Sequence, residues 1–496
     1  MTKTNKIMKN KWVGRKLHQF SSWLMNGYRY CCLISFLLLG LLCLKAGNFG
    51  ILSFISLVPL CIYLAKSKNR TQREFVRSFY VGGVILGAFS FLYMMQAIPD
   101  FWMHDLNSVV SFISRLLSLV VVSTFTGLPV SFIGYCLYRI NYQYRIVSLI
   151  LLWPIMEYIK SASVAFISYG PGGSFLPSLN FGSLAVSASG TPLVYITRFV
   201  GFYGLTAAVV LINVLIFYVI SGKSKVYRFG SLALLVVVAC VNTGAWQKGR
   251  LSGPTKTLNI AITHLNNLED ANNIKDWSEL KNSTDILVLP EYSYFSDSAD
   301  FVSATNKLSD KGAAITSVST HKDRMNYNEL VYYNRQGNVI SKQTKTFLIP
   351  GGEYMPQILR TFLVISGKAD TLSDFDLTQL ITAGTIPEKM VALDNDVRVG
   401  ALPCSGVLEY TKYKQLSDKG ANVLVNSASL SFLEPNSLYH VYGHNMARLQ
   451  AVMNNKPFIQ ASRSGESYVI DNQGRFIVKS AGQKSQLIQT QINIKL

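Results

Sequence analysis

The sequence predicts a bundle of about seven membrane-spanning α-helices fused to an α/β domain, and three observations carry that prediction. Of the 496 residues, 49% are hydrophobic and only 15% charged, which is too little polar surface for a soluble chain of this length. The charge is split unevenly, with 23 Lys/Arg against 4 Asp/Glu in residues 1–250 and 24 against 23 in residues 251–496. Apolar runs of membrane-spanning length fill the first half, whereas short β-rich runs separated by polar segments fill the second. The division predicts a polytopic membrane domain over 1–250 and a water-exposed domain over 251–496.

Seven apolar runs stand near 30–45, 49–65, 78–97, 116–138, 146–162, 199–220 and 229–246. The first has no small-residue cleavage site after it and is followed by further spans, so it reads as a span and not a signal peptide. The basic residues cluster in alternate loops: Lys3, Lys6, Lys9, Lys11, Arg15 and Lys16; then Lys66, Lys68, Arg70, Arg73 and Arg77; then Arg139 and Arg145; then Lys223, Lys225 and Arg228. Such loops stay in the cytoplasm. The intervening loop Ile98 to Ser108, with Asp100 and Asp105, then faces outward, and seven spans place the second half outside the cytoplasm. The net charge of +20 belongs to these loops, so no nucleic-acid partner is expected. The segment Ser163 to Gly190, with Tyr169-Gly170-Pro171-Gly172-Gly173, fits either a packed external loop or a re-entrant segment shaping a lipid path.

Beyond Leu251-Ser252-Gly253-Pro254, strands are expected at 257–263, 285–289, 313–319, 329–334, 397–402, 422–426, 458–462 and 467–470, and a helix at 444–455. Three polar residues follow strand-like runs: Glu291 after Ile286 to Pro290, Lys345 after the stretch near Val339, and Cys404 after Val397 to Pro403. Strand ends are where α/β domains place their chemistry. Cys404 is the second half's lone cysteine, so it has no disulfide partner in its own domain. Each residue has an ordinary reading as well. Cys404 can be a buried small hydrophobe, Glu291 a solvated carboxylate, and Lys345 an exposed lysine paired in sequence with Lys342.

The motifs Leu289-Pro290-Glu291, Lys345-Thr346-Phe347-Leu348-Ile349-Pro350-Gly351-Gly352-Glu353-Tyr354-Met355-Pro356 and Gly400-Ala401-Leu402-Pro403-Cys404 resemble the nitrilase superfamily. Within it they are similar to the apolipoprotein N-acyltransferases, whose pattern is a Lys followed by Leu-Val-Pro-Phe-Gly-Glu-Tyr-x-Pro. Trp153-Pro154 with Glu157, Gly201-Phe202-Tyr203-Gly204, Asn422 to Ala428, Met446-Ala447-Arg448 and Ala461 to Gly465 extend the resemblance. It departs at Ser405-Gly406 (Tyr-Glu in the family), at Ser429-Leu430 (an aromatic pair) and at Gly351 (Phe). The family's final span has no counterpart in the strand-like Gln491 to Leu496.

The resemblance implies a nitrilase-like αββα sandwich in the second half and a catalytic Glu291, Lys345 and Cys404 set. Glu353 is then either a supporting carboxylate or a turn residue. A nucleophilic cysteine needs a base for its proton or a cation that lowers its pKa, so Glu291 and Lys345 take those roles, Lys345 also serving an oxyanion. The implied reaction is acyl transfer in two steps, from a membrane phospholipid to Cys404 as a thioester and then to the α-amine of a lipoprotein's diacylglyceryl-cysteine. It implies the bacterial inner membrane, an extracytoplasmic catalytic domain, a monomer, and no metal or organic cofactor. A membrane amidase or acyltransferase with another acceptor, and an inactive membrane scaffold, fit the same residues. His440 and His444 read as structural or surface histidines, and Gly367 to Asp396 as a mobile lid.

Overall fold

The computed structural model describes residues 30–496 except 98–107, 174, 176, 178, 222–223, 251–253, 267–278, 294–298, 324, 385–389, 394–395, 435–436 and 482–483. The basic tail from Lys3 to Lys16, the loop with Asp100 and Asp105, Lys223, and Leu251 to Gly253 therefore lie outside the described residues.

The first half is helical: α1 Cys31–Phe49, α2 Val58–Ala65, α3 Gln72–Ser90, α4 Ser108–Arg139, α5 Arg145–Ile167, α6 Thr197–Ser221 and α7 Lys225–Lys248. All seven predicted runs fall on apolar helices. Among the described residues, five are long and apolar enough to cross a membrane, and the first two are shorter. The second departs from a plain span, because a 3-10 turn at Gly50–Phe54 precedes the eight-residue α2. Its freed backbone is served by Asn213 of α6, which accepts from the Leu57 amide (2.8 Å) and donates to the Ser53 carbonyl (2.8 Å). A break in a lipid-facing helix persists only with such partners.

The second half is a twelve-stranded sheet: β1 Thr255–Leu265, β2 Thr284–Val288, β3 Leu308–Lys322, β4 Met325–Tyr333, β5 Val339–Thr344, β6 Val391–Ala392, β7 Arg398–Pro403, β8 Val423–Ser429, β9 Phe458–Arg463, β10 Tyr468–Ile470, β11 Phe476–Lys479 and β12 Gln486–Lys495. The order is β5-β4-β3-β2-β1-β9-β8-β7-β6, with β12 on β1 and β10 and β11 beyond β9. β1 and β9 meet over only two residue pairs, His264–Ser462 and Leu265–Arg463, and there the sheet folds on itself. Ile260, Ile262, Ile286 and Val288 of one half then pack against Val399, Val423, Val425 and Ile459 of the other. Each such burial is worth about 1.5–3 kcal/mol relative to exposure.

The alternate residues face outward to helices, as the two-residue period requires. Ala261 and Leu287 meet Phe301 of α8 Ala299–Thr305, and Leu402 and Leu424 join the core that includes Met446 and Leu449 of a long helix, Leu438–Asn454. These are the layers of an αββα sandwich, as the sequence predicts. Among the described residues, four helices of the second half lie outside the predicted set: α8, α9 Gln357–Ile365, α10 Ala369–Thr378 and α11 Tyr410–Asp418. The long helix Leu438–Asn454, α12, begins six residues before its expected start at 444.

α12 joins the halves. Its Tyr442 ring stacks on Phe181 at 4.2 Å, and its Asn445 accepts from Ser189 at 2.8 Å. Phe181 to Ala188 is buried between the bundle and α12, so the segment read as loop or re-entrant turn is a packed wedge. Glu157 of α5 holds it, accepting from Ser183 Oγ (2.6 Å), the Leu184 amide (2.9 Å), Thr206 Oγ1 (2.7 Å) and Trp153 Nε1 (3.2 Å). At Tyr169-Gly170 the end of α5 meets the sheet domain. The Gln357 amide donates to the Tyr169 carbonyl at 2.8 Å, and a Cβ on Gly170 would sit 2.3 Å from the Met355 carbonyl oxygen, so only glycine allows the approach.

Candidate active site

The topology gathers the sequence-predicted residues at one edge. β7, β8, β9, β1, β2 and β3 run parallel, and β5 rejoins that direction through two antiparallel steps. Their C-terminal ends therefore share a side. Glu291 lies just past β2, Lys345 directly after β5, and Cys404 directly after β7. The Glu291 amide donates to the Ala428 carbonyl (3.2 Å), which ties the end of β2 to β8 across the sandwich.

Glu291, Lys345 and Cys404 are 2%, 1% and 4% exposed, which excludes the solvated readings of the first two. Lys345 Nζ lies 3.2 Å from Glu291 Oε1 and 2.7 Å from Glu353 Oε1. Glu353 is itself fixed by the Ile349 amide, which donates to its Oε2 at 2.9 Å. It is at once in the turn and in the cluster, so the two readings of Glu353 are both partly true. Lys342 instead lies at the surface, 3.7 Å from Glu329.

Burial works against the Lys345 charge, but Glu291 and Glu353 outweigh it and hold the ammonium well above its ordinary range. For Glu353 burial raises the carboxyl, Lys345 opposes and Glu291 adds to the rise, leaving it above the usual carboxylate range. Burial likewise pushes the Cys404 thiol up, with Glu291 and Glu353 raising it and Lys345 lowering it. The Cys404 thiol is thus neutral at rest. Two carboxyl groups beside one ammonium leave no surplus positive charge to hold a thiolate, so an attack by this sulfur would need a base for its proton.

Cys404 sits at φ 40, a left-handed conformation that a side chain adopts at a cost of about 1–3 kcal/mol. Its surroundings hold it there. Asn426 donates to the Leu402 (2.9 Å) and Cys404 (3.1 Å) carbonyls, Ser405 Oγ donates to the Phe347 carbonyl (2.6 Å), and the thiol points to the Ser429 carbonyl at 3.4 Å. Ser405, a departure from the family pattern, therefore staples the Cys404 turn to the Lys345 loop. Gly406, the other, faces Leu402, whose Cβ would be 2.4 Å from any added Cβ.

Sequence reasoning missed Asn328, whose Nδ2 donates to Glu291 Oε1 (2.5 Å) and to Tyr292 Oη (3.0 Å), while its carbonyl accepts from the Lys345 amide (2.8 Å). No signal in the strand Met325–Tyr333 marks it, because only the β4–β5 register brings it beneath Lys345. The expected lid is partly an ordered wall. It contains α10, pinned to α9 by the bidentate Arg360–Asp376 pair (2.7 Å each), and the Ile381 and Gly384 amides donate to the Glu353 and Lys345 carbonyls (2.8 Å each). His440 and His444 line a cavity together with Cys404.

Residues 260–496 match the carbon-nitrogen hydrolase family, and residues 37–215 match the apolipoprotein N-acyltransferase N-terminal domain. Between them the two matches cover most of the chain, which is similar in both halves to the apolipoprotein N-acyltransferases. It is 26% identical over 360 residues to an apolipoprotein N-acyltransferase of Geobacter metallireducens, covering 66% of this chain and 64% of that one. It is 27% identical over 337 residues to that of Bdellovibrio bacteriovorus, covering 58% and 59%. The matches thus span somewhat under two thirds of these relatives' length. A carbon-nitrogen hydrolase of Helicobacter pylori G27 matches 48% of this chain and 89% of its own at 17% identity, with a TM-score of 0.36.

Proposed function

We propose that this chain is an apolipoprotein N-acyltransferase, with 1–250 as its membrane domain and 251–496 as its catalytic domain. The observation that carries the reading is the buried Glu291–Lys345–Glu353 cluster beside a strained Cys404, at a sheet edge that abuts a membrane bundle. In the first step Glu291 takes the Cys404 proton as sulfur attacks a phospholipid ester carbonyl. Lys345 has three N–H donors, two of them engaged by carboxylates, so the third serves the oxyanion. The tetrahedral intermediate collapses, Glu291 returns the proton to the departing lysophospholipid alkoxide, and a thioester remains on Cys404.

In the second step the α-amine of a diacylglyceryl-cysteine attacks the thioester, an amide forms, and the sulfur regains a proton. Both substrates are held by their chains in the bilayer, which explains the fusion to helices. The basic loops support a catalytic domain on the periplasmic side of the inner membrane, and the protein acts as a monomer without cofactor. The test is intact-mass measurement of wild type and Cys404→Ser after incubation with phospholipid. A fatty-acyl adduct on wild type, removed by hydroxylamine and absent from Cys404→Ser, is expected. A folded wild type that gains no adduct from any phospholipid would sink the proposal.

A further inference from the structure

The mechanism above leaves one cluster near Cys404 unused. A cavity runs from Cys404 past Tyr439, His440 and His444 of α12 to Tyr468 and Glu466, the last nearly half-exposed. His444 Nε2 lies 3.1 Å from Glu466 Oε2, and Lys479 Nζ lies 3.2 Å from the same oxygen. His440, one turn earlier on the helix, bonds the Glu434 carbonyl. A ring that donates one N–H keeps a lone pair on its other nitrogen, so both imidazoles retain an accepting atom. The cavity adjoins the bundle, because Gln96, just beyond α3, accepts from the Leu438 amide at the start of α12 (2.9 Å).

The geometry points to this cavity as the subsite for the acceptor's ammonium group, with Glu466 attracting the cation and His440 or His444 removing its proton before it attacks the thioester. This rests on the acyl-transfer reading and adds a residue set to its second step. A terminal α-amine has a pKa of about 8, so near pH 7 roughly nine in ten molecules are protonated and cannot attack. The transfer balances: the imidazole takes one proton from R–NH3+, the freed amine forms the C–N bond, and the C–S bond breaks. The sulfur receives the second amine proton by way of Glu291.

The surrounding charges suit the role. Around His444 stand His440 and Arg448 on its own helix, Glu466 before β10, and Lys479 on β11. Burial lowers His444, with Lys479 and Arg448 lowering it further and Glu466 opposing. Burial and His444 lower His440. Both rings are therefore neutral at neutral pH, and the Glu466 carboxylate, which opposes the lowering of each, favours the proton's transfer to them. The His444 hydrogen bond and Lys479 hold Glu466 at about 2, so it is a carboxylate.

The test separates the two half-reactions in the full-length protein in lipid nanodiscs. His444→Gln, His440→Gln/His444→Gln and Glu466→Gln are first loaded with phospholipid, and the thioester is then discharged by a synthetic diacylglyceryl-cysteine lipopeptide or by hydroxylamine, an amine already neutral at pH 7. We expect thioester formation and hydroxylamine discharge within about twofold of wild type. Lipopeptide discharge should fall about 10- to 100-fold at pH 7, the deficit shrinking toward pH 9 as free amine accumulates. Equal loss with both amines would mean a structural effect and overturn the assignment, as would undiminished lipopeptide discharge. A wild type that forms no thioester would instead overturn the acyl-transfer reading itself, and this subsite with it.

Discussion

Two buried carboxylate–lysine groups sit in the two halves of the molecule, and they are built for opposite ends. In the bundle, Glu157 takes four hydrogen bonds from neutral donors, and Lys160 gives its ammonium to the Phe181 carbonyl (2.6 Å). Each is satisfied apart from the other, and together they hold one wedge of chain against two spans. At the sheet edge, Glu291 and Glu353 share a single lysine beside a thiol, and the charges around them raise both Lys345 and Glu353. A carboxylate whose lone pairs are filled by fixed donors is a structural acceptor, whereas one that shares a mobile proton inventory with a nucleophile can do chemistry.

The comparison breaks most sharply under the same substitution at both sites. Glu291→Gln removes a base and should slow thioester formation by about 100- to 10,000-fold with little change in melting temperature. Glu157→Gln should leave that rate within a few-fold, because Ser183 and Thr206 carry hydroxyls that can turn to accept from the new amide nitrogen. Single-turnover acylation with a thermal melt on each variant reads both quantities. Comparable rates in the two variants would remove the distinction between acceptor and base.

Glu157→Ala sharpens the other side. It strands the Leu184 amide and the Trp153 indole N–H, two buried donors that cannot reorient, at about 1–3 kcal/mol each. The melting temperature should fall by several degrees, and acylation should fall with it as the wedge beneath α12 loosens. An unchanged melt in Glu157→Ala would mean that the wedge is held by its apolar packing alone.

The two groups also differed in how far the sequence disclosed them. Glu291, Lys345, Glu353 and Cys404 were legible because they sit in local motifs that resemble those of nitrilase-like domains, each motif following an apolar or strand-like run. The sandwich was legible for the same reason, through runs such as Ile260 to Ile262 and Ile286 to Val288. What stayed hidden depends on distant partners. The break before α2 is stabilised by Asn213, 156 positions away, and Asn328 meets Glu291 only through strand register. The His444–Glu466 pair is made by a helix and a turn that no local pattern links. α9 and α11 were missed because they are short and lie between loops, where helical periodicity has few turns in which to show.

The smallest effect expected is on pH dependence, and it tests whether the sheet-edge carboxylates are coupled. Glu353 is raised by its burial and by Glu291, so the acid limb of thioester formation should lie above the ordinary glutamate value of about 4.3, where protonating Glu353 releases Lys345 from its 2.7 Å contact. Stability moves the other way. A carboxyl raised on folding favours its protonated form, so its contribution is full below the unfolded pKa and is lost as pH rises through the folded one. Ionised Glu353 therefore costs stability at neutral pH, where the enzyme is expected to work fastest. Glu353→Gln should lower the plateau rate and shift the limb downward, as read from acylation rates between pH 4 and 8. A wild-type limb at or below 4.3 would show the two carboxylates titrating independently, and the contrast with Glu157 would then rest on hydrogen bonding alone.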